Sequence, residues 1–266
     1  MSSFDQMFEG IRQALISVSQ SAINDAERNI DNKLAIKVLK ALFLVKYIDG
    51  FSATAKNLTV LVYDKFGLDL PQLTKDVQEA LNLLEAQTYI QRNGNVYEYL
   101  SNDEKKIEEE IKNVEVHGSE ISKKLYEIIS TEVIKTSKIR YDKNNQDFAF
   151  GFKLDDQPQG MQKDLTINFI SPSYDFNEDE IRMHSAGKDE LRVVMARNDD
   201  RLRSDLMAVL QTEKYTKLKR SGNISPAEDR ILTSKAAFNN ERNKELIERV
   251  RKINRRSSRS CKTLQK

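Results

Sequence analysis

The stretch LAIKVLKALFLVKYI, Leu34 to Ile48, limits what this chain can fold into more than any other segment. It is apolar on nearly every side and interrupted only by Lys37, Lys40 and Lys46, so a helix formed there has to be surrounded rather than laid on a surface. Asp31 or Asn32 supplies a cap at its start, and Gly50 a stop. Such a helix is the centre of a core, and its neighbours in sequence must provide the walls.

The walls can be read from spacing. Phe4, Met7, Phe8, Ile11, Leu15 and Ile16 recur at helical intervals and predict one amphipathic helix over residues 1–30. A second helix is expected from about Thr54 to Phe66. Pro71 opens a third that runs to about Gln87, with Leu73, Val77, Leu81 and Leu84 turned inward. TYIQRNGNVYEYL then predicts two short strands joined at Asn93-Gly94, a pair that tolerates the positive φ of tight hairpins. Three helices followed by a hairpin give residues 31–101 the order of a winged-helix-like module. Ser101 and Glu104 match the capping box and open a charged helix; another from Ser119 to about Thr136 packs through Ile121, Leu125, Ile128 and Ile129. Residues 102–136 thus form a helical connector.

The period changes in residues 137–253. FAFGFKL and DLTINFI alternate apolar with small or polar residues, as half-buried strands do, and IRMHS and LRVVMA predict two more strands. Asp155 to Lys163, with Pro158 and Gly160, is expected to be a loop. The prediction is a small, largely antiparallel sheet followed by two helices separated at Gly222 and Ser225-Pro226. The first carries Leu202, Leu206, Val209 and Leu210, the second Ile231, Leu232, Ala236, Leu246, Ile247 and Val250. Residues 254–266, RRSSRSCKTLQK in all but their first position, lose apolar periodicity and predict a disordered basic tail. The fold class expected is α+β, mostly helical.

Composition excludes several functions. With 43 basic and 41 acidic residues the net charge is +2, too small a field to draw the whole molecule to nucleic acid or lipid. No apolar run is long enough to span a membrane, the first residues lack a signal-peptide layout, and the chain is expected in the cytoplasm. One cysteine, Cys261, and two histidines, His117 and His184, give neither a disulfide nor a plausible metal cage. The closest glycines, Gly151 and Gly160, are too far apart for either common phosphate-cradling loop. Asp199-Asp200 after LRVVMA has the look of a magnesium-holding pair, but a helix cap explains it better, and Glu178-Asp179-Glu180 reads as a solvated helix start. No catalytic, cofactor-binding or metal residue is therefore assigned.

The third helix of a winged-helix module often enters the major groove. Its outward residues include one lysine against Asp76, Glu79 and Glu85, which phosphates would repel. Gln72, Lys75 and Gln78, with Arg92 near the hairpin tip, are the candidate contacts if the chain is instead a stand-alone DNA-binding regulator.

Two segments carry a resemblance: KVLKALFLVKYIDGFSATAKNLTVLVYDKFG from Lys37 and DELRVVMARNDDRLRSDLMAVLQTEKY from Asp189. They resemble the interior of the large P-loop ATPase of bacteriophage-exclusion (BREX) defence systems, and the likeness covers most of residues 5 to 253. The resemblance implies a bacterial, cytoplasmic, DNA-associated component that works with a DNA methyltransferase and other defence proteins, with ATP bound only in a full-length member. The nucleotide-binding motif of that family has no counterpart in these residues. The chain is accordingly read as a non-catalytic fragment that docks within the ATPase, to a second copy or to a partner, through the apolar faces of its first and last helices. The change of texture after Ile253 fits a truncation or a shifted reading frame.

Overall fold

The computed structural model describes residues 4–11, 17–46, 48–64, 67–175, 178–185, 190–195 and 201–261. They divide into two compact units, 1–113 with 218–238 and 114–217 with 239–266, each built round its own apolar cluster.

In the first unit α1 (Phe4–Ile11) and α2 (Ser17–Asn29) stand where one helix is predicted, and residues 12–16 lie outside the described residues. The central helix is α3 (Lys33–Val45), which buries Ala35, Val38, Leu39, Ala41, Leu42 and Val45. Asn32 rather than Asp31 caps it, its Oδ1 accepting the Ala35 N–H at 3.0 Å. The lysines that interrupt its apolar surface each meet a carboxylate. Lys37 reaches Asp64 at 2.5 Å, Lys40 reaches Glu9 at 2.6 Å and Glu27 at 2.7 Å, and Lys46 reaches Glu104 at 2.5 Å. Phe8 of α1 meets Phe43 edge-on at 5.5 Å, and Phe43 meets Tyr99 in the same way.

Thr54 caps α4 (Ala55–Val62), and Asp69 caps α5 (Leu70–Ala86) with Pro71 in its first turn. Val77, Ala80, Leu81 and Leu84 are buried, and Leu73 packs against them. The hairpin of β1 (Ile90–Asn93) and β2 (Val96–Tyr99) follows. Its turn is shifted one residue from the expected place: Asn93 pairs with Val96, so the turn is Gly94-Asn95. Only Gly94 needs positive φ, at 57°, as in turns whose first central residue is glycine. Thr54 bridges to Val96, which ties the start of α4 to the hairpin. The capping box opens α6 (Asn102–Lys112) as predicted, with Glu104 accepting the Ser101 N–H at 2.7 Å.

The second unit begins with α7 (Gly118–Ile128), whose Ile121, Leu125 and Ile128 are buried; it widens into a π-turn over Ile129–Ile134 and ends at Lys135, φ 56°. The sheet that follows is mixed, a correction to the largely antiparallel expectation. β3 (Lys138–Tyr141), which sequence reading missed, runs antiparallel to β4 (Gln146–Leu154). β5 (Gln157–Gln159), inside the stretch expected to be loop, is also antiparallel to β4. β6 (Leu165–Ile170) and β7 (Glu190–Val194) are parallel to it and to each other, in the order β3-β4-β6-β7.

The parallel pairing has a local cause. The β4–β5 hairpin reverses the chain, and residues 161–163 then cross over Gly151 so that β6 starts beside Phe150 in the direction of β4. A Cβ on Gly151 would lie 2.9 Å from the Lys163 amide nitrogen, so the crossover requires glycine there. Alternation reports the faces of a strand, not its direction. The central position of β6 also makes it buried on both faces from Thr166 to Ile170, not half-buried.

IRMHS is not a strand but most of α8 (Glu178–Ser185), where Ile181 is buried and Met183 exposed. Carboxylates at its first turn suit the positive end of a helix. α9 (Leu202–Arg220) and α10 (Pro226–Cys261) complete the chain. α10 continues through residues 254–261, where an irregular tail is predicted; no glycine or proline follows Pro226 to stop it. Residues 262–266 lie outside the described residues.

Candidate functional site

The four candidate nucleic-acid contacts all sit on α5 or β1. Gln72 and Lys75 are exposed, and the Gln72 amide donates to Asp76 at 2.7 Å. Gln78 donates to Asn82 at 3.1 Å and to the Tyr97 hydroxyl at 2.9 Å, which ties α5 to the hairpin. Arg92 is drawn back toward Glu85, 4.0 Å away. Of the four, Lys75 presents an exposed cation; the two glutamine amides are already engaged with neighbours. His117 lies exposed at the start of α7, where its N–H donates to Glu120 at 2.9 Å. His184 falls in α8 rather than a strand, and Asp199-Asp200 lie outside the described residues. Among the described residues no cluster of three metal-ligating side chains forms.

A polar constellation that sequence reading missed covers one face of the mixed sheet. Strand alternation and the parallel register put Lys153, Asn168 and Arg192 in one row across β4, β6 and β7, with Glu190 in the next row. The Glu190 carboxylate accepts from Lys153 at 2.8 Å, from Asn168 at 3.0 Å and from the Arg192 Nε at 2.9 Å. Asp156 accepts from the Arg192 Nη2 and the Tyr174 hydroxyl, each at 2.5 Å, and from Asn168 at 2.7 Å. Asp155 and Asp156 are the two turn residues between β4 and β5, both at positive φ (51° and 65°) without being glycine. Asp155 holds the far end of β6 by accepting the Ser171 N–H at 2.7 Å.

The electrostatics of this face favour holding over proton transfer. Burial works against the Glu190 charge, but hydrogen bonds from Lys153, Asn168 and Arg192 outweigh it and bring the carboxyl down to about 2. Burial, with the Asp156 carboxylate, pushes the Tyr174 hydroxyl up to about 12. Burial also raises Asp155. At neutral pH Glu190 is ionised and Tyr174 protonated, both far from the range a general base or acid needs. The Arg192 Nη1 is buried and has no hydrogen-bond partner among the described residues.

The opposite face is apolar, and its two ends differ. Phe150, Phe152, Leu154, Ile167 and Phe169 are covered by the α7, α9 and α10 side chains Ile121, Leu125, Leu206, Val209, Leu246 and Val250. Ile139, Tyr141, Phe148, Leu165 and Leu191 share that face by register but remain between 37% and 47% exposed. They form an uncovered apolar strip across β3, β4, β6 and β7. Of the apolar residues on the first and last helices, expected to dock, Phe8 of α1 and Leu232, Leu246, Val250 and Ile253 of α10 are buried within the chain, while Met7 and Ile11 of α1 remain exposed.

Residues 114–259 match the family model described as "BREX ATP-binding protein BrxC 4th domain with six-stranded beta sheet". Its first residue is also the first of the second unit. The described residues contribute five strands to that sheet. No solved structure matches the chain.

Proposed function

The chain belongs to the BREX ATP-binding protein BrxC family and so to phage defence, and from that premise we propose that it works as a non-catalytic docking part of the system. The observation that carries this reading is the uncovered strip Ile139, Tyr141, Phe148, Leu165 and Leu191. Apolar side chains from four adjacent strands on one face are what a protein interface buries. The partners proposed are other BREX components, a DNA methyltransferase among them, in the cytoplasm; among the described residues no helix is long and apolar enough to cross a membrane. ATP turnover by these residues is not expected, since their glycines are too far apart to cradle a phosphate.

The first unit fits the same reading as a winged-helix-like module used for packing. Its three helices, its hairpin and the Thr54–Val96 bridge support that shape, and the engaged Gln72 and Gln78 amides favour protein contact over base reading.

The test is binding of the purified chain to each of the other BREX components, with Phe148→Ser/Leu191→Ser as the variant. Docking predicts a loss of about tenfold or more in affinity, with hydrogen exchange in β6 unchanged. Unchanged affinity would remove the reading. Binding to duplex DNA that weakens steeply with salt and is reduced by Lys75→Glu and Arg92→Glu would replace it with the DNA-binding regulator.

A further inference from the structure

We propose that the outer edge of β3 is a docking strand, which accepts an extended segment of a partner protein whose residues alternate between apolar and acidic. This rests on the docking reading and specifies how the partner is held.

Among the described residues β3 pairs with β4 alone, and all four of its residues are exposed. The orientation of its backbone follows from one bond. The Phe150 N–H donates to the Ser137 carbonyl at 3.1 Å, so Ser137 and Phe150 form a hydrogen-bonded pair. In an antiparallel ladder such pairs alternate, which turns the amides of Ile139 and Tyr141 toward β4 and those of Lys138 and Arg140 outward. The outward groups of Lys138 are met by the Thr136 hydroxyl at 3.0 and 3.3 Å. The outward N–H and C=O of Arg140 are left as the next rung of the ladder.

The side chains specify what fits that rung. Ile139 and Tyr141 stand on the face of the uncovered apolar strip, and Lys138 and Arg140 on the other. An added strand therefore needs apolar side chains on one face and carboxylates on the other. Arg140 already contacts Asp147 at 3.0 Å, but both side chains are well exposed, and an exposed pair of this kind is weak enough to admit a second carboxylate. The same two cations exclude a second copy of the chain, because pairing β3 with itself would place four basic side chains on one face. The edge is thus closed to self-association and open to a segment of opposite charge.

The experiment uses the full chain and synthetic peptides alternating Val and Glu, or Val and Lys, followed by fluorescence anisotropy. The Val/Glu peptide is expected to bind and the Val/Lys peptide to bind at least about tenfold more weakly. Arg140→Pro, which removes an outward N–H together with the guanidinium, is expected to weaken the Val/Glu peptide by a similar factor, and Arg140→Ala, which keeps the N–H, by less. If the proline variant loses hydrogen-exchange protection in β4, a backbone N-methylated Val/Glu peptide lacks the N–H that would donate to the Arg140 carbonyl, the other bond of the same rung, and is expected to fail on the unaltered chain. No binding of the Val/Glu peptide, equal binding of both peptides, or indifference to both Arg140→Pro and N-methylation would overturn the proposal. If Phe148→Ser/Leu191→Ser still abolishes binding of a BREX component in those cases, docking stands and strand addition alone falls.

Discussion

The two units both bury charge, but they bring it in by different routes. In the first, the side chains of Lys46, at the C-terminal end of α3, and Lys235 of α10 are buried among Glu98, Glu104, Glu108 and Gln91. Burial lowers the Lys235 pKa against the pull of Glu108 and further glutamates, and the same Lys46 bond helps hold Glu104 below its usual range despite desolvation. These lysines lie at the margin of apolar helical surfaces. In the second unit Glu190 and Arg192 alternate with the apolar residues of a strand, their side chains 4% and 5% exposed. A helix admits a charge at the edge of its stripe, whereas a strand turns every second residue to one face, so Glu190 and Arg192 enter the polar network together. Buried pairs of the second kind have fewer ways to relax.

That contrast can be broken by experiment. The largest effect is expected from Arg192→Ala, which leaves the buried Glu190 with Lys153 as its remaining cation and the half-buried Asp156 without the cation it bonds. A loss of about 3–5 kcal/mol should follow. Hydrogen exchange resolved by unit should place it in β6 and β7 and not in α3; a loss spread equally over both units would end the comparison.

Acid should act on the same pair more gently. Glu190 has a folded pKa of about 2 against an ordinary 4.5, so its contribution is present above pH 4.5 and is lost as the pH falls toward 2. Protection of β7 should decline across that window, and a β7 that keeps full protection at pH 2 would contradict the assignment. The smallest effect is expected from Lys235→Met in the first unit. It keeps the apolar stem and strands only Glu108 and Gln91, so about 1–3 kcal/mol is predicted by urea unfolding. An effect as large as that of Arg192→Ala would mean that the helical and strand routes are equivalent.

Much of the first unit is legible in the sequence, because helix caps and apolar spacing act within one or two turns. Asn32, Thr54, Pro71 and the Ser101–Glu104 box mark helix starts that the structure keeps. The sheet was legible strand by strand in FAFGFKL, DLTINFI and LRVVMA, but its direction was not, since Gly151 takes on meaning only when residues 161–163 pass over it. The polar face leaves one signal in the sequence: Thr166 and Asn168 alternate with apolar residues just as Glu190 and Arg192 do. Two such strands side by side form a network only if they are parallel and in register. The candidate α5 contacts were chosen as outward-facing, and Gln78 faces the hairpin closely enough to bond Tyr97.

The sequence by itself determined the central helix, the helix starts, the hairpin and the absence of a phosphate-cradling loop within these residues. Each of these depends on residues close together in the chain. Only the tertiary structure decided the parallel core of the sheet, the partners of Glu190 and Arg192, and which part of the apolar face stays uncovered. Those depend on strands aligned through β6, which brings Lys153 of β4 into one row with Arg192 of β7, 39 residues on, and local preference carries no information about register at that distance.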